Sequence, residues 1–308
     1  MSKSQSQRIR SKLWIRKIAS TLLLLVSIPT LRKAFGTEAQ QIRTPKGVDW
    51  EPANLDGIHG EWLSPPNAPT DAVILHIRGG GGVLGLSNQA RWMTGYLSLA
   101  CNFRTLLPDF RLAPEHPFPA GLNDCVATYR WLLSKGYAPQ RIMIAGDSEG
   151  GHLMLSTLLM IRDAGQPFPF AAVGISPNTD PTCIGKSMRS NALQDALLSS
   201  TFARTMMRHY VGGHPLNDPY LSPLIADLHN LPPMLIQVGA DEVLLDDSRR
   251  LSDCAHAAGV DLTLEIWPNM WHVWHYWVPE LPEANQAIEH IARFVHDHFD
   301  LNPAPASV

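Results

Sequence analysis

The chain has 308 residues, of which 45% are hydrophobic and 17% charged, and its formal net charge is −3 at pH 7. This balance is typical of a globular protein with its own core, and without a basic stripe it excludes a nucleic-acid partner. The four cysteines are widely spaced with no C-x-x-C pair, and no H-E-x-x-H motif occurs. The sequence therefore predicts no disulfide framework, no metal site and a reducing, cytoplasmic compartment.

The first 47 residues differ in charge and hydropathy pattern from the rest of the chain. Five basic residues between positions 8 and 17 precede an uncharged run at 18–31, which resembles the start of a signal peptide. Arg32 and Lys33 follow at once, no good cleavage site is near, and the run is too short for a comfortable membrane span. We favour an amphipathic helix that covers the functional site or contacts a membrane surface through residues 12–35. A cleaved export signal or an anchor remains the alternative.

From residue 48 to residue 304 the pattern is that of one α/β domain. Apolar runs predict buried strands at 72–77, 103–108, 142–145, 171–175 and 234–238, and an alternating strand nearer the sheet edge at 262–267. Helical spacing predicts helices at 88–99, 121–134, 153–161, 247–258 and 282–298. This alternation indicates a mostly parallel sheet with helices on both faces. Residues 184–215 interrupt it with polar and helix-forming residues, which suits a helical cap insertion.

A serine stands at the apex of the motif Gly146-Asp147-Ser148-Glu149-Gly150, between an apolar strand and an apolar helix. This strand–turn–helix pattern is typical of the nucleophile elbow of α/β-hydrolases. Both glycines are needed, because side chains two residues before or after the serine would crowd so tight a bend. The structural alternative is an ordinary tight turn, since the five-residue pattern also arises by chance.

A serine nucleophile needs a base, and the base needs an orienting acid, in the chain order Ser, Asp or Glu, His for this fold. Asp241 comes early in the loop after the strand at 234–238, and His272 holds the matching place after the last strand. In parallel sheets such loops meet at one edge. Asp246, Asp247 and His275 are rivals, but the two carboxylates suit a helix start and the histidine suits a structural role.

A run of four glycines follows Arg78, directly after the strand at 72–77. Glycines let backbone N–H groups approach a substrate without a Cβ in the way, as an oxyanion requires. A flexible turn is the structural alternative. A phosphate-binding loop is less fitting, because the run does not end in Gly-Lys-Ser/Thr.

Taken together, these motifs resemble the hormone-sensitive-lipase-like branch of α/β-hydrolases, whose glycine run is an HGGG-type motif. The resemblance covers roughly residues 48–300. It is carried by stretches of this sequence at 78–85, 109–115, 146–151, 231–239 and 270–275.

The resemblance implies a carboxylic ester hydrolase that acts on short or medium acyl esters without a metal or cofactor. It implies that Ser148 is the nucleophile, that His272 is the general base and that Asp241 orients the histidine. The implied oxyanion donors are the backbone N–H groups of Gly80, Gly81 and Glu149, and the expected partner is a small-molecule ester. A lactone hydrolase with the same site is one alternative, and a non-catalytic ligand binder on the same fold is another.

Two positions depart from the family pattern. Arg78 replaces the usual histidine before the glycines, and Glu149 replaces the usual alanine after the nucleophile. His76 lies on the same face of the strand as position 78 and could partly substitute for the missing histidine. Our hypothesis from the sequence is that Arg78 and Glu149 pair and compensate each other's charge.

Overall fold

An eight-stranded sheet runs through the centre of the computed structural model, which describes residues 5–22, 26–35 and 41–300. Its strands are β1 (Asp49–Leu55), β2 (Ile58–Ser64), β3 (Val73–Ile77), β4 (Arg104–Pro108), β5 (Ile142–Asp147), β6 (Ala171–Ile175), β7 (Met234–Gly239) and β8 (Leu262–Trp267). They lie in the order β1-β2-β4-β3-β5-β6-β7-β8. The pairs β1–β2 and β2–β4 are antiparallel and all other pairs are parallel, which confirms the predicted sheet.

Helices cover both faces of this sheet. They are α1 (Gln5–Leu22), α2 (Ile28–Ala34), α3 (Asn88–Cys101), α4 (Ala120–Ser134), α5 (Glu149–Asp163), α6 (Ser187–Ser190), α7 (Ser200–Val211), α8 (Leu245–Ala257) and α9 (Pro282–Asp300). Short 3-10 turns span Pro139–Arg141, Pro223–Ile225 and Trp274–Trp277. Side chains alternate along β3: Val73 and Leu75 pack with α4, α5 and α8, whereas Ile74 packs with α3 and α9. The domain is therefore a three-layer α/β/α structure.

The six predicted strands are all present, and the strand at 262–267 lies at the sheet edge as expected. Strands β1 and β2 were not predicted from the sequence, and they form the opposite edge of the sheet. The first six residues of β1 are exposed or half-buried, and the strand contains Pro52. Such a strand lacks both the buried run and the clean alternation by which strands are identified.

The N-terminal helices lie against the region 184–215. Lys17 on α1 donates hydrogen bonds to the carbonyl oxygens of Ala192 (2.7 Å) and Asp195 (2.5 Å). Arg32 on α2 donates to the carbonyl oxygen of Val83, close to the glycine run (2.9 Å). In the described part of the chain, no helix is both long enough and apolar enough to cross a membrane.

Candidate active site

The strand β5 enters the helix α5 through a sharp bend, and Ser148 stands at its apex. Its backbone has φ 54° and ψ −120°, and its N–H donates to the carbonyl oxygen of Ile175 on the neighbouring strand (2.8 Å). A Cβ at Gly146 would overlap the carbonyl of Gly150, and a Cβ at Gly150 would overlap the carbonyl of Ile77. Both glycines are therefore required by close backbone approach, as the motif predicts.

His272 lies in the loop after β8 and links two other side chains. Its Nε2 is 2.9 Å from the hydroxyl Oγ of Ser148, and its Nδ1 is 3.0 Å from Oε2 of Glu242. The carboxylate can only accept, so Nδ1 carries the proton and Nε2 accepts from the serine hydroxyl. This is the arrangement in which an imidazole can remove a proton from a serine nucleophile.

The sequence prediction that Asp241 orients this histidine is corrected by the structure. The Asp241 carboxylate is partly exposed and accepts a hydrogen bond from Nη1 of Arg10 at 2.6 Å. The neighbouring Glu242 is fully buried, and its Oε1 accepts from the Ser176 hydroxyl and from the Gly239 N–H, both at 2.6 Å. The turn after β7 thus directs the side chain of 242 inward and that of 241 outward.

Sequence reasoning missed Glu242 although the signal was present. Two adjacent carboxylates stand in the same loop, and the earlier one was chosen for its place after the strand. Which of two neighbours faces inward depends on the local turn, and the residue types alone do not specify it.

The burial of Glu242 and His272 perturbs both groups. Burial disfavours the imidazolium, but the hydrogen bond and the charge of Glu242 outweigh it and raise the pKa of His272. Burial raises the pKa of Glu242, while its hydrogen bond with His272 acts in the opposite direction. The carboxylate therefore favours a positive charge on the imidazole, which develops when the serine loses its proton.

A second buried carboxylate, Asp195, joins the region 184–215 to the loops of the site. It accepts backbone N–H bonds from Leu197 and Leu198 (both 3.0 Å), from Val243 (3.1 Å) and, at 3.4 Å, from His272. Sequence reasoning did not find Asp195, because a single aspartate in a polar stretch carries no motif. Its contacts fix the loops of Glu242 and His272 relative to each other.

The glycine run faces the same space. Gly80 and Gly81 have φ values of 118° and 62°, and together with Ser148, Glu149 and His272 they line one cavity. These positive φ values are the ones that glycine adopts without strain. The three residues predicted to supply the oxyanion donors therefore line the cavity that the serine faces.

The side chain of Arg78 forms a hydrogen bond that braces this glycine loop. The side chain is buried, its Nη1 donates to the carbonyl oxygen of Leu84 (2.6 Å), and its guanidinium lies 4.3 Å from the centre of the Phe110 ring. Leu84 lies just beyond the glycines, so the arginine closes the loop on itself. His76 lies beside the nucleophile turn, with its Nε2 3.2 Å from Oδ1 of Asp147. That it partly substitutes for the missing histidine stays a prediction.

Glu149 has partners of its own. Its Oε2 accepts from the amide of Asn178 (2.9 Å), and its Oε1 lies 3.0 Å from Nδ1 of His152. The expectation that Glu149 pairs with Arg78 is therefore wrong in this structure, because each charge is matched by a different group.

The cavity has a volume of about 550 Å³. Beyond the glycines and the polar groups at its base, most of its wall is apolar and comes from α2, α7 and the segment before α7: Phe35, Leu197, Leu198, Phe202, Met206 and Met207. Among the residues that the structure describes, no three His, Cys, Asp or Glu side chains form a group that could hold a metal ion.

Comparison with known proteins places this site in a family. A family model described as an alpha/beta hydrolase fold matches residues 74–276. An acetyl-hydrolase of Streptomyces hygroscopicus is 42% identical over 235 residues, which cover 76% of this chain and 78% of that protein. An esterase of Acinetobacter venetianus is 36% identical over 248 residues, which cover 80% and 82%.

A solved structure is similar over nearly the whole chain. The crystal structure of an esterase from the bacterial hormone-sensitive lipase family is 38% identical, has a TM-score of 0.89 and covers 97% of this chain and 100% of its own. The chain therefore belongs to the α/β-hydrolase family, in its branch of hormone-sensitive-lipase-like esterases.

Proposed function

We propose that this protein hydrolyses carboxylic esters of short or medium acyl chain length through an acyl-enzyme on Ser148. The observation that carries the proposal is the bridging position of His272, 2.9 Å from the Ser148 hydroxyl and 3.0 Å from the Glu242 carboxylate. A non-catalytic binder would not need a nucleophile, a base and an orienting acid in hydrogen-bonded sequence.

The reaction has two halves that use the same base. Nε2 of His272 takes the hydroxyl proton as Oγ of Ser148 forms a bond to the ester carbonyl carbon, and Glu242 stabilises the resulting imidazolium. The imidazolium then gives its proton to the departing alkoxide, which leaves as the alcohol, and Ser148 keeps the acyl group. Water then releases the acid: His272 removes a proton from water as the water oxygen forms a bond to the acyl carbon, the bond from that carbon to Oγ of Ser148 breaks, and the imidazolium gives its proton to Oγ.

The negative charge that forms on the carbonyl oxygen needs donors already in place. The backbone N–H groups of Gly80, Gly81 and Glu149 are the proposed set, since all three residues line the cavity beside Ser148. Each such donor contributes about 3 kcal/mol to stabilisation of the transition state. The brace from Arg78 to the Leu84 carbonyl holds the loop that presents two of them.

The shape of the cavity supports the choice of acyl length. Its volume of about 550 Å³ and its apolar wall suit a small ester with a hydrocarbon acyl group. The name of the Streptomyces hygroscopicus relative, an acetyl-hydrolase, agrees with a short acyl group.

The test is hydrolysis of a p-nitrophenyl ester series from acetate to dodecanoate. We expect kcat/KM to be highest for the shorter chains and Ser148→Ala to abolish turnover. Intact-mass measurement during turnover of a slow ester should show one acyl group on wild-type protein and none on the variant. Ser98→Ala, which removes a buried hydroxyl on α3, serves as the matched control and should keep its activity. Enzymatic turnover that persists in Ser148→Ala would overturn the proposal.

A further inference from the structure

The first residue of α5 presents an electrostatic problem. The backbone N–H of Glu149 is a proposed oxyanion donor, yet its own side chain is a carboxylate that is fully buried one position beyond the nucleophile. A second negative charge there would oppose the charge that develops on the substrate oxygen. The site therefore needs something that cancels the charge of Glu149.

His152, one turn further along α5, is held with its Nε2 as a hydrogen-bond donor. The carbonyl oxygen of Leu221 lies 2.9 Å from Nε2, and a carbonyl oxygen can only accept. The Ser156 hydroxyl lies 3.4 Å from the same nitrogen, and its own proton goes to the Tyr220 carbonyl at 2.6 Å. Two acceptors face Nε2, so this nitrogen carries a hydrogen.

The other nitrogen of the same ring faces Glu149. Nδ1 lies 3.0 Å from Oε1, and both side chains are only 1% exposed. The two atoms are not aligned for a hydrogen bond, and neither has a hydrogen-bond partner among the described residues. If Nε2 holds the single hydrogen of a neutral ring, the electron-rich Nδ1 lies beside a carboxylate oxygen, which is repulsive. One additional proton on either group removes this repulsion, and the pair then has no net charge whichever group holds it.

From these contacts we infer that His152 is a positioning residue that shares one proton with Glu149 and so removes the charge of this carboxylate from the oxyanion site. The inference rests on the proposed function, because it assumes that the Glu149 N–H stabilises the oxyanion. It explains how this chain can hold a glutamate directly after the nucleophile.

The neighbouring side chains of Arg78, Tyr210 and Asn178 do not cancel the charge of Glu149. The guanidinium of Arg78 contacts the Leu84 carbonyl and, at 3.4 Å, Asp109. The Tyr210 ring stands edge-on to His152 with ring centres 5.5 Å apart, and burial raises the pKa of Tyr210 well above its ordinary value, so the phenol is neutral. Asn178 donates to Oε2 but brings no charge.

The test is a double-mutant cycle with His152→Gln and Glu149→Gln, assayed with p-nitrophenyl acetate at mildly alkaline pH. A glutamine at 152 can keep the donor to Leu221 but has nothing at the place of Nδ1. In the wild-type background we expect it to reduce kcat/KM by about 10- to 100-fold, since an unpaired carboxylate then faces the oxyanion. In the Glu149→Gln background the same substitution should change kcat/KM by less than about threefold, because no charge is left to cancel.

A matched control separates charge from packing. His256 on α8 also has its Nε2 on a backbone carbonyl, that of Leu262 at 3.0 Å, but its Nδ1 faces the Ser252 hydroxyl. His256→Gln should leave kcat/KM unchanged. Equal losses from His152→Gln in both backgrounds, or no loss in either, would overturn the inference. Neither result would affect the proposed function, which depends on whether Ser148→Ala abolishes turnover.

Discussion

Replacing Glu242 by glutamine should inactivate the protein, whereas replacing the adjacent Asp241 by asparagine should not. The two variants are a matched pair, since each exchanges one carboxylate for an amide in the same loop. Oε1 of Glu242 accepts from the Ser176 hydroxyl and from the Gly239 N–H. A glutamine must keep its carbonyl oxygen there, because its NH₂ group would meet the N–H of Gly239.

This orientation sets the size of the effect. The glutamine NH₂ then points at Nδ1 of His272, which must accept, so the ring hydrogen moves to Nε2 and faces Ser148. The base is held in the wrong tautomer. An amide in place of the orienting carboxylate of a serine protease lowers kcat by about 10⁴, which corresponds to about 5.4 kcal/mol. We expect a loss of that order for Glu242→Gln and at most about a twofold change for Asp241→Asn, whose ion pair with Arg10 is partly exposed.

The assay is kcat/KM for p-nitrophenyl acetate as a function of pH. The rate rises as pH increases through the pKa of His272, because only the neutral imidazole accepts a proton. Glu242 raises that pKa, so the acid limb of the remaining activity in Glu242→Gln should move to lower pH. The limb of Asp241→Asn should coincide with that of wild type. A large loss in Asp241→Asn, together with a nearly active Glu242→Gln, would refute the assignment.

Three further outcomes follow from other parts of the chain. Arg10 donates to both Asp241 and the Asn269 carbonyl, so Arg10→Ala should lower kcat/KM by about 3- to 10-fold through the loops it joins, and Arg10→Lys should recover part of it. Burial raises the pKa of Asp247 to about 7, so wild-type protein should lose stability as pH rises from about 4 to 7, by up to about 1.4 kcal/mol per pH unit. Urea unfolding of Asp247→Asn should lack this slope, and an equal slope would contradict the reasoning. Trp14 and Ile18 are exposed on α1, and no acidic residue precedes Glu38, so the protein should sediment with anionic vesicles but not with neutral ones. A double serine substitution at 14 and 18 should weaken this binding, and wild type left in the supernatant would contradict a membrane contact.

Much of the fold could be predicted because buried parallel strands are short, nearly continuous runs of apolar residues. All five residues of β3 and of β6 are buried, and such short apolar runs end where the loops of the site begin. The place of Ser148, directly after the buried strand β5, follows from that rule, whereas the place of His272 follows from the alternating pattern of the edge strand β8. β1 escaped prediction because its exposed edge removes the pattern on which the rule depends.

The finer pairing of side chains could not be predicted, since it depends on directions that the residue types do not encode. Arg78 and Glu149 have opposite charges and lie in adjoining loops, yet one contacts a backbone carbonyl and the other a histidine on its own helix. A rotation of one residue in the turn after β7 would likewise have exchanged Asp241 and Glu242. Such choices are settled by the packing of the whole site.

Because residue 78 is an arginine, the glycine loop that it braces should keep its geometry over a wide range of pH. A histidine in that place would be a group that can lose its charge, and the geometry of the loop would then depend on its protonation state. Burial lowers the pKa of Arg78, but a guanidinium stays protonated in proteins, so its hold on the Leu84 carbonyl persists in acid and in alkali alike. The loop that presents the donors for the substrate oxygen should thus keep one geometry over this range, and the pH dependence of turnover should not arise from this brace.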